Sequence, residues 1–370
     1  MPNLDVLFQS YRLNGLNLRN RVVMAPMTRS MSPGGVPTAA VASYYRRRAQ
    51  NGVDLIITEG TGVDRAAALN EPDMPRFHGE AALAGWKRVV DEVHAAGGHI
   101  APQLVHVGHK LSKSAPGWVP PAPYESPSGL SVTGERVGHP MSDADVGDTI
   151  EAFARAASDA ERLGFDAIEL MGAHGYLINQ FFYDHLNLRN DKYGGATLVE
   201  RSRFVVEVLK AIRSVVPAGF PVILRLSHWK PKDFNARLAE TPKMLEQWLD
   251  VLVEAGADAF HLSQQKFWQP AFPEVDGELN LAGWVKKLTG VTAITVGAVG
   301  LSGDVYESLA GKSATSTPLD ALLARLERGE FDLVAVGRAL LQDPAWLEKI
   351  RQGCVDRIAD FTPNAFASLS

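Results

Sequence analysis

The stretch Phe165-Asp166-Ala167-Ile168-Glu169-Leu170-Met171-Gly172-Ala173-His174-Gly175-Tyr176 carries the pattern from which the fold can be predicted. Residues 165–170 form a short, mostly apolar run between Gly164 and Gly172, which predicts a buried β-strand followed by a turn. His174 and Tyr176 lie in that turn. An imidazole that donates a hydrogen bond, beside a phenol that donates a proton, can polarise and protonate a carbonyl-conjugated substrate. The stretch therefore predicts a strand whose end carries reactive side chains.

Seven other β-rich runs alternate with longer amphipathic stretches along the chain, and one of these stretches predicts a helix over residues 198–215. Glycines end several of these helix-like stretches, which is typical of helix C-termini. Eight alternating strand–helix units in one domain predict an α/β fold, the (β/α)8 TIM barrel. A doubly wound open sheet is the alternative, and it is disfavoured because no strand is followed by a complete G-x-G-x-x-G turn. The eight strands are predicted at residues 21–27, 53–58, 99–104, 165–170, 221–226, 257–262, 292–296 and 331–336.

A long, proline-rich connection follows the third predicted strand. It spans about forty residues, more than an ordinary loop in a compact domain, and contains six prolines between Pro116 and Pro140. The connection leaves the C-terminal end of a barrel strand, the face at which barrel active sites lie. We expect one domain over residues 1–370, with a capping subdomain over residues 105–144 and a small β-hairpin around residues 131–138.

Composition limits the classes of partner and cofactor. The net charge of −5 gives no electrostatic reason to expect nucleic acid or an anionic membrane as partner. Cys354 is the only cysteine, which excludes an intramolecular disulfide and a cysteine-based metal or iron–sulfur site. No apolar run of about eighteen residues occurs, and residues 1–20 carry no apolar signal core. We therefore expect a cytoplasmic protein, and the sequence leaves the oligomeric state open, including a homo-oligomer.

Two motifs near the fourth predicted strand resemble those of a known family. Residues 171–177 fit the pattern His-x-x-(His/Asn)-Gly-Tyr-Leu, except that Met171 replaces the first histidine, and residues 187–195 fit Asn-x-Arg-x-Asp-x-Tyr-Gly-Gly. These patterns resemble the Old Yellow Enzyme family of FMN-dependent ene-reductases. The resemblance implies a capped TIM barrel that binds FMN and takes hydride from NADPH or NADH. It also implies a ping-pong reaction with a small electron-poor alkene such as an enone, a maleimide or a nitroalkene.

The resemblance also implies which residues contact the ring of the flavin. The backbone of Ala25, Pro26 and Met27 would line the ring, and the Thr28 hydroxyl would bond the flavin O4 atom. Gly60 would let the backbone approach the isoalloxazine, and the amide of Gln103 would face its pyrimidine edge. Without the resemblance, Thr28 is an ordinary strand-end hydroxyl and Gly60 an ordinary turn glycine.

A charged residue and several glycines on later strands and loops suit the N1/O2 edge and the phosphate of such a cofactor. Arg225 lies in an apolar strand, where a guanidinium is costly unless a negative group meets it. That group is either an internal carboxylate or, as the resemblance implies, the N1/O2 edge of the flavin. Loops after the last two barrel strands commonly bind phosphate through backbone N–H groups, and an arginine there can pair with it bidentately. The phosphate residues expected there are Gly297, Gly300, Gly337 and Arg338.

Candidate catalytic and substrate-binding residues follow from the same resemblance. His174 would donate to the substrate oxygen, and Tyr176 would protonate Cα after hydride reaches Cβ. The thioether of Met171 donates no hydrogen bond, so either His174 holds the oxygen alone or another group supplies a second donor. His228 and the loop after the sixth strand are candidates for that donor. In the same loop, Trp268 either lines the substrate pocket or packs under the cap.

Two features of the sequence allow other interpretations. His106 and His109 have the spacing of a metal-binding pair, but no third ligand is evident, so we expect no metal site. A flavin-binding barrel that stores flavin or serves as an interaction module, without ene-reductase activity, is the alternative function.

Overall fold

Eight parallel strands close into a barrel in the computed structural model, which describes residues 3–111, 115, 117–229 and 233–370. Two further strands, β1 (Tyr11–Leu13) and β2 (Leu16–Leu18), form an antiparallel hairpin before it. Barrel neighbours follow the chain order and the last strand pairs with the first, so the predicted (β/α)8 TIM barrel is confirmed. The barrel strands are β3 (Val22–Met24), β4 (Leu55–Gly62), β5 (His99–Val105), β6 (Ile168–Gly172), β7 (Val222–Ser227), β8 (Ala259–Ser263), β9 (Thr292–Val296) and β10 (Leu333–Val336).

Helices cover the outside of the barrel. The third begins at a capping box in which the side chains of Ser142 and Asp145 bond each other's backbone N–H, and it ends at Gly164 in the left-handed conformation. Among the described residues, no helix is both long enough and apolar enough to cross a membrane. The helices are α1 (Ala39–Gln50), α2 (Glu80–Ala95), α3 (Asp143–Leu163), α4 (Leu177–Phe182), α5 (Leu198–Arg201), α6 (Arg203–Arg213), α7 (Pro242–Glu254), α8 (Leu281–Thr289), α9 (Val305–Leu309), α10 (Asp320–Glu327), α11 (Arg338–Gln342) and α12 (Trp346–Arg351).

Side chains along β6 point alternately to the surrounding helices and to the barrel interior. Ile168 and Leu170 join the large apolar core shared with the surrounding helices. Glu169 bonds side chains on β5 and β8, which is possible only across the barrel interior. Because side chains alternate along a strand, Met171 points inward like Glu169 and lies one layer nearer the C-terminal end.

The β1–β2 hairpin, which the sequence analysis did not predict, closes the N-terminal end of the barrel. Leu13 and Leu18 pack among inward-facing residues at the strand starts, including Val23 and Leu55. The turn holds Asn14 at φ 50°, and the N–H of Gly15 donates to the Gly219 carbonyl at 3.1 Å. An Asn-Gly pair is a strong hairpin signal that was available in the sequence.

All eight predicted barrel strands are present, with ends that differ by a few residues, and two smaller predictions need correction. The predicted helix 198–215 is interrupted at Ser202, whose hydroxyl donates to the Leu198 carbonyl at 2.7 Å instead of to solvent. The predicted hairpin around 131–138 is reduced to a single antiparallel bridge between Leu130 and Arg136.

The segment between β5 and α3 is tied to the rest of the molecule by side chains rather than by regular structure. Arg65, after β4, pairs with Glu125 in this segment and with Asp145 at the start of α3, the second at 3.2 Å. Arg189 donates to the Pro127 carbonyl at 3.0 Å, and the N–H of Leu188 donates to the Ser128 hydroxyl at 2.8 Å. The motif at residues 187–195 thus contacts the predicted cap.

Candidate active site

The turn after β6 holds the two predicted catalytic residues beside each other at the C-terminal end of the barrel. His174 has a φ of 61°, which is unusual for a residue with a side chain. Its N–H donates to the Ser227 hydroxyl at the end of β7, at 3.3 Å. The N–H of the next residue, Gly175, donates to Asn179 Oδ1 at 2.7 Å. Strand β7 and helix α4 therefore fix this turn from two sides.

Tyr176 retains its proton over a wide pH range. Burial, helped by the charge of Glu71 and opposed by that of Arg225, raises the pKa of its phenol to about 12. The ammonium of Lys110, from the predicted cap, lies 4.5 Å from the centre of the Tyr176 ring. A phenol that stays protonated near neutral pH, with cations nearby, suits the role of a proton donor.

His174 presents a neutral imidazole. Burial lowers its pKa well below the usual range, and the charges of Arg225 and Lys110 act in the same direction. Its ring stacks on Trp229 with centroids 5.1 Å apart and planes 17° from parallel. A neutral imidazole carries one N–H, so His174 can donate one hydrogen bond to a ligand.

Met171 lies in a small apolar cluster next to these residues. It packs with Met74, Val105 and Ala173, and the partly buried Tyr176 ring lies against the same group. Its register partner on β7 is Arg225. Met171 therefore faces the site, and it contributes apolar surface where the resemblance implies a donor.

The candidates for a replacement donor lie elsewhere or are already bonded. The Nε2–H of His228 donates to the Ala239 carbonyl at 2.7 Å, and burial lowers the pKa of His228 to about 4. In the loop after β8, Trp268 is 39% exposed and packs edge-on against Phe267 at 5.0 Å. The ring contacts found for Trp268 in the described residues join it to its own loop and not to the His174 turn.

A buried polar network crosses the barrel below the turn. Gln103 Nε2 donates to Glu169 Oε1 at 2.8 Å, and His261 Nδ1–H donates to Glu169 Oε2 at 2.6 Å. Burial raises the pKa of Glu169, but these donors and the charge of Arg225 outweigh burial and hold the pKa below its usual range. Glu169 is therefore a carboxylate, and burial keeps His261 neutral by lowering its pKa.

This network fixes the orientation of the Gln103 amide. Because Nε2 binds Glu169, the carbonyl oxygen Oε1 turns the other way, towards Gly60. A Cβ atom at Gly60 would lie 3.3 Å from that oxygen and 3.0 Å from Val105 Cγ1. The bare backbone at Gly60 and a fixed amide beside it suit the polar edge of a flat ring.

Arg225 lies buried in the same interior. Its Nε–H donates to the Ser263 hydroxyl at 2.8 Å. Among the described residues, no carboxylate oxygen lies within 4.0 Å of the Arg225 guanidinium. Glu169 acts on Arg225 only from a greater distance, so the internal-carboxylate interpretation is not realised as a direct pair. A buried guanidinium in this state suits a ligand with a negative edge.

The ends of β3 and β10 meet on the other side of the site. The N–H of Ala25 donates to the Val336 carbonyl at 2.9 Å, and a Cβ at Gly337 would lie 3.5 Å from the Met27 sulfur. Pro26 and Met27 are half-buried and Thr28 is exposed. These residues therefore border the loops in which phosphate binding is predicted.

The predicted phosphate loops contain close backbone contacts. Gly297 has a φ of 137°, and a Cβ there would lie 2.5 Å from the Gln264 carbonyl oxygen. Gly300 has a φ of 69°, and a Cβ there would lie 3.3 Å from the Trp346 ring. Arg338 donates to the carbonyls of Asp304 and Gly303 at 2.9 and 2.6 Å, and to the Ser308 hydroxyl at 2.6 Å. These bonds use three of its five N–H groups and leave two for an anion.

The histidine pair with metal-like spacing makes protein contacts. His106 Nδ1 accepts from the Gly108 N–H at 3.0 Å, so its Nε2 carries the proton that it donates to Glu125 at 2.6 Å. His109 packs edge-on against Tyr124 at 4.7 Å. Within the described ranges, no group of three or more metal-ligating side chains is found.

Four site residues were missed in the sequence analysis, for two different reasons. Glu169 and His261 are polar residues in apolar strands, the same signal that identified Arg225, and that signal could have found them. Trp229 and Lys110 approach the His174 turn from loops after other strands. Their contacts depend on loop conformation and leave no pattern in the sequence.

Comparisons with known proteins agree with this geometry. The family model for the NADH:flavin oxidoreductase / NADH oxidase family matches residues 6–357. The chain is 31% identical to 12-oxophytodienoate reductase 7 of Oryza sativa subsp. japonica, covering 93% of this chain and 87% of the relative. It is also 31% identical to an NADPH dehydrogenase of Clostridium acetobutylicum, covering 91% and 92%. A solved structure of morphinone reductase in complex with tetrahydroNAD superposes with a TM-score of 0.77 at 29% identity, covering 97% and 93%.

Some relatives are longer than this chain. An NADH oxidase of Thermoanaerobacter brockii is 31% identical over 95% of this chain, which spans 52% of that relative. The chain thus has about half the length of the first curated relatives that it matches. The family match covers nearly all of residues 1–370, and the barrel and the site agree with it. The chain therefore belongs to the NADH:flavin oxidoreductase / NADH oxidase family, the Old Yellow Enzyme family that its motifs resemble.

Proposed function

We propose that this chain is an FMN-dependent oxidoreductase that transfers hydride from NAD(P)H to the Cβ atom of an electron-poor alkene by a ping-pong mechanism. The observation that carries the proposal is the turn after β6. It presents a neutral imidazole and a protonated phenol together, within the electrostatic reach of buried Arg225. The names of two relatives, an NADPH dehydrogenase and a 12-oxophytodienoate reductase, support a nicotinamide donor and a conjugated carbonyl substrate.

The residues present fit FMN. The Gln103 carbonyl and Arg225 would meet the polar and negative edge of the ring, and Gly60 and the backbone of residues 25–27 would border it. The phosphate would be bound by the two remaining N–H groups of Arg338 and by the loop glycines Gly297, Gly300 and Gly337. At the ring, the Thr28 hydroxyl would bond the flavin O4 atom. Bound FMN would supply the hydride-transfer chemistry between NAD(P)H and the alkene.

The chain's own residues complete the reaction on the substrate. His174 donates its imidazole N–H to the carbonyl or nitro oxygen and so stabilises the negative charge that develops there. Tyr176 delivers its phenolic proton to Cα. The resulting phenolate is stabilised by the Lys110 ammonium, 4.5 Å from the ring centre, and by the charge of Arg225. Met171, Val105 and Ala173 provide an apolar wall beside the reacting carbon atoms.

Product analysis with labelled nicotinamide tests the proposal. The purified, FMN-loaded protein is incubated with NADPH or NADH carrying deuterium at C4 and with an enone, a maleimide or a nitroalkene. We expect nicotinamide oxidation that depends on the alkene, and a saturated product with deuterium at Cβ. A yellow protein that reduces none of the three classes would instead favour the flavin-binding barrel without ene-reductase activity. The proposal includes the cytoplasmic location expected from the sequence, which cell fractionation tests.

A further inference from the structure

The ring of His174 is held by one aromatic neighbour. Trp229, at the start of the loop after β7, stacks on it with a centroid separation of 5.1 Å and only 9% of its surface exposed. We propose that Trp229 is a positioning residue, which holds the His174 imidazole at the angle at which it donates to the substrate oxygen. This inference rests on the function proposed above and assigns a residue that its mechanism does not otherwise use.

The imidazole has little else to set its orientation. The hydrogen bonds of the described residues involve the backbone N–H and carbonyl of His174 but neither ring nitrogen. Those nitrogens are therefore free to meet a ligand, while the stack restrains the plane of the ring. Because Met171 supplies no second donor, the orientation of this single donor decides how well the oxygen is held.

Trp229 is anchored to the same framework as the turn that carries His174. The Tyr183 hydroxyl lies 3.1 Å from the Trp229 carbonyl and 2.9 Å from Asn179 Oδ1. That same Oδ1 accepts the N–H of Gly175 at 2.7 Å. Polar contacts thus connect the turn through Asn179 and Tyr183 to Trp229, and the ring stack connects Trp229 to His174 in the same turn.

The outer side of Trp229 is supported as well. Phe234 lies 5.2 Å from it, and Tyr306 meets it edge-on at 6.0 Å. This wall keeps water from one face of the imidazole, consistent with burial as the main cause of the low pKa of His174. The charged groups that act on the imidazole are Arg225 and Lys110.

A double-mutant cycle tests whether Trp229 acts through His174. Trp229→Leu removes the stack but keeps apolar bulk, and Trp229→Phe keeps an aromatic ring as the matched control. For reoxidation of the reduced protein by a cyclic enone, we expect Trp229→Leu to lower kcat/KM by about tenfold or more, since small misplacements of catalytic groups are costly. We expect Trp229→Phe to recover most of this loss. In the His174→Ala background, Trp229→Leu should change the rate by less than about twofold, because no donor remains to be positioned.

The outcomes separate this inference from the proposed function. If Trp229→Leu lowers the rate equally with and without His174, Trp229 acts independently and the inference is wrong. If His174→Ala itself leaves the alkene reaction unchanged, the role of His174 in the proposed function fails, and the positioning role fails with it.

A second measurement keeps the inference testable if Trp229→Leu also alters the packing around it. The His174 pKa is measured by NMR in FMN-bound oxidised protein, with thermal unfolding and FMN content as controls for folding. We expect Trp229→Leu to raise the pKa towards the ordinary histidine value, because water reaches the ring, and Trp229→Phe to leave it low. An unchanged pKa in a folded Trp229→Leu variant would overturn the inference.

Discussion

At position 171 the chain places a methionine where the resemblance described above implies a second hydrogen-bond donor. The structure explains how this is tolerated. Met171 packs with Met74, Val105 and Ala173, so the change extends an apolar surface instead of leaving a cavity. His228 does not supply a substitute, because its Nε2–H is bonded to the Ala239 carbonyl. We therefore infer that His174 holds the substrate oxygen without a histidine partner.

Restoring the missing donor tests this interpretation. We expect Met171→His to raise kcat/KM for cyclohexenone by about tenfold or more, since one donor in such a clamp contributes on the order of 10²–10³ in rate. Maleimides, which are already activated, should gain less and serve as the matched substrate control. No gain for cyclohexenone in a variant that still binds FMN would mean that another group holds the oxygen.

The proton donor can be tested separately from hydride transfer. Tyr176→Phe should leave flavin reduction by NAD(P)H nearly intact and slow reoxidation by an enone by about 10²–10⁴, the usual contribution of a positioned acid. Stopped-flow measurement of the two half-reactions distinguishes these steps. An enone half-reaction at the wild-type rate would assign the proton to water or to another residue. Nitroalkenes are a weaker test, because their nitronate products can take a proton from solvent.

At the scale of single elements, the contact of α11 with the loop before α9 links cofactor retention to local structure. Arg338 begins α11 and bonds Gly303, Asp304 and Ser308. We expect Arg338→Ala to weaken FMN binding by about 1–3 kcal/mol, the scale of a lost charge-assisted contact. Thermal unfolding of the FMN-free variant measures how far the loss of these loop contacts destabilises the protein itself, separately from the loss of FMN binding. Equal FMN affinity in both proteins would remove Arg338 from the phosphate site.

The buried carboxyl of β4 makes stability depend on pH. Burial raises the pKa of Glu59 from 4.5 to about 7, although the N–H groups of Arg29 and Ser30 bond its Oε2 at 2.8 and 2.9 Å. A raised folded-state pKa means that the contribution to stability is fully present below about pH 4.5 and is lost as the pH rises through about 7.

Glu59→Gln mimics the protonated form, so the variant should lose less stability than wild type between pH 5 and pH 8. The expected difference is up to about 3 kcal/mol, from the size of the pKa shift. Denaturant unfolding across this pH range measures it, with Glu161→Gln on the exposed face of α3 as control. Parallel pH profiles for wild type and Glu59→Gln would show that Glu59 is ionised in the folded protein at both ends of the range.

The regular elements were largely predictable from the sequence, and the reason is physical. Each barrel strand is buried on both faces and bounded by turn residues, so it forms an apolar run of typical length. The β1–β2 hairpin was missed because its strands have three residues each, although Asn14-Gly15 marked the turn. Residues 131–138 carry turn signals too, but their pairing stops at one bridge.

On the scale of the whole molecule, the barrel brings together groups that are far apart in the sequence. Residues 103, 169, 225 and 261 lie on four different strands, yet their side chains meet or act on one another in the barrel interior. The barrel prediction placed His174, Tyr176 and Arg225 at one end, because parallel strands end on the same face. It did not place Trp229 and Lys110, since their approach depends on the conformation of two loops that carry no periodic pattern.

The central claim is that one barrel accepts hydride from NAD(P)H and passes it to an electron-poor alkene. Anaerobic stopped-flow mixing of the FMN-loaded protein tests this most directly, with NADPH or NADH in the first mix and a maleimide or enone in the second. We expect the absorbance of the oxidised flavin to bleach in the first mix and to return in the second, with one saturated product formed for each flavin. Two results would contradict this claim. In the first, NAD(P)H bleaches the flavin and oxygen restores its absorbance, but no alkene does. In the second, NAD(P)H does not bleach the flavin at all.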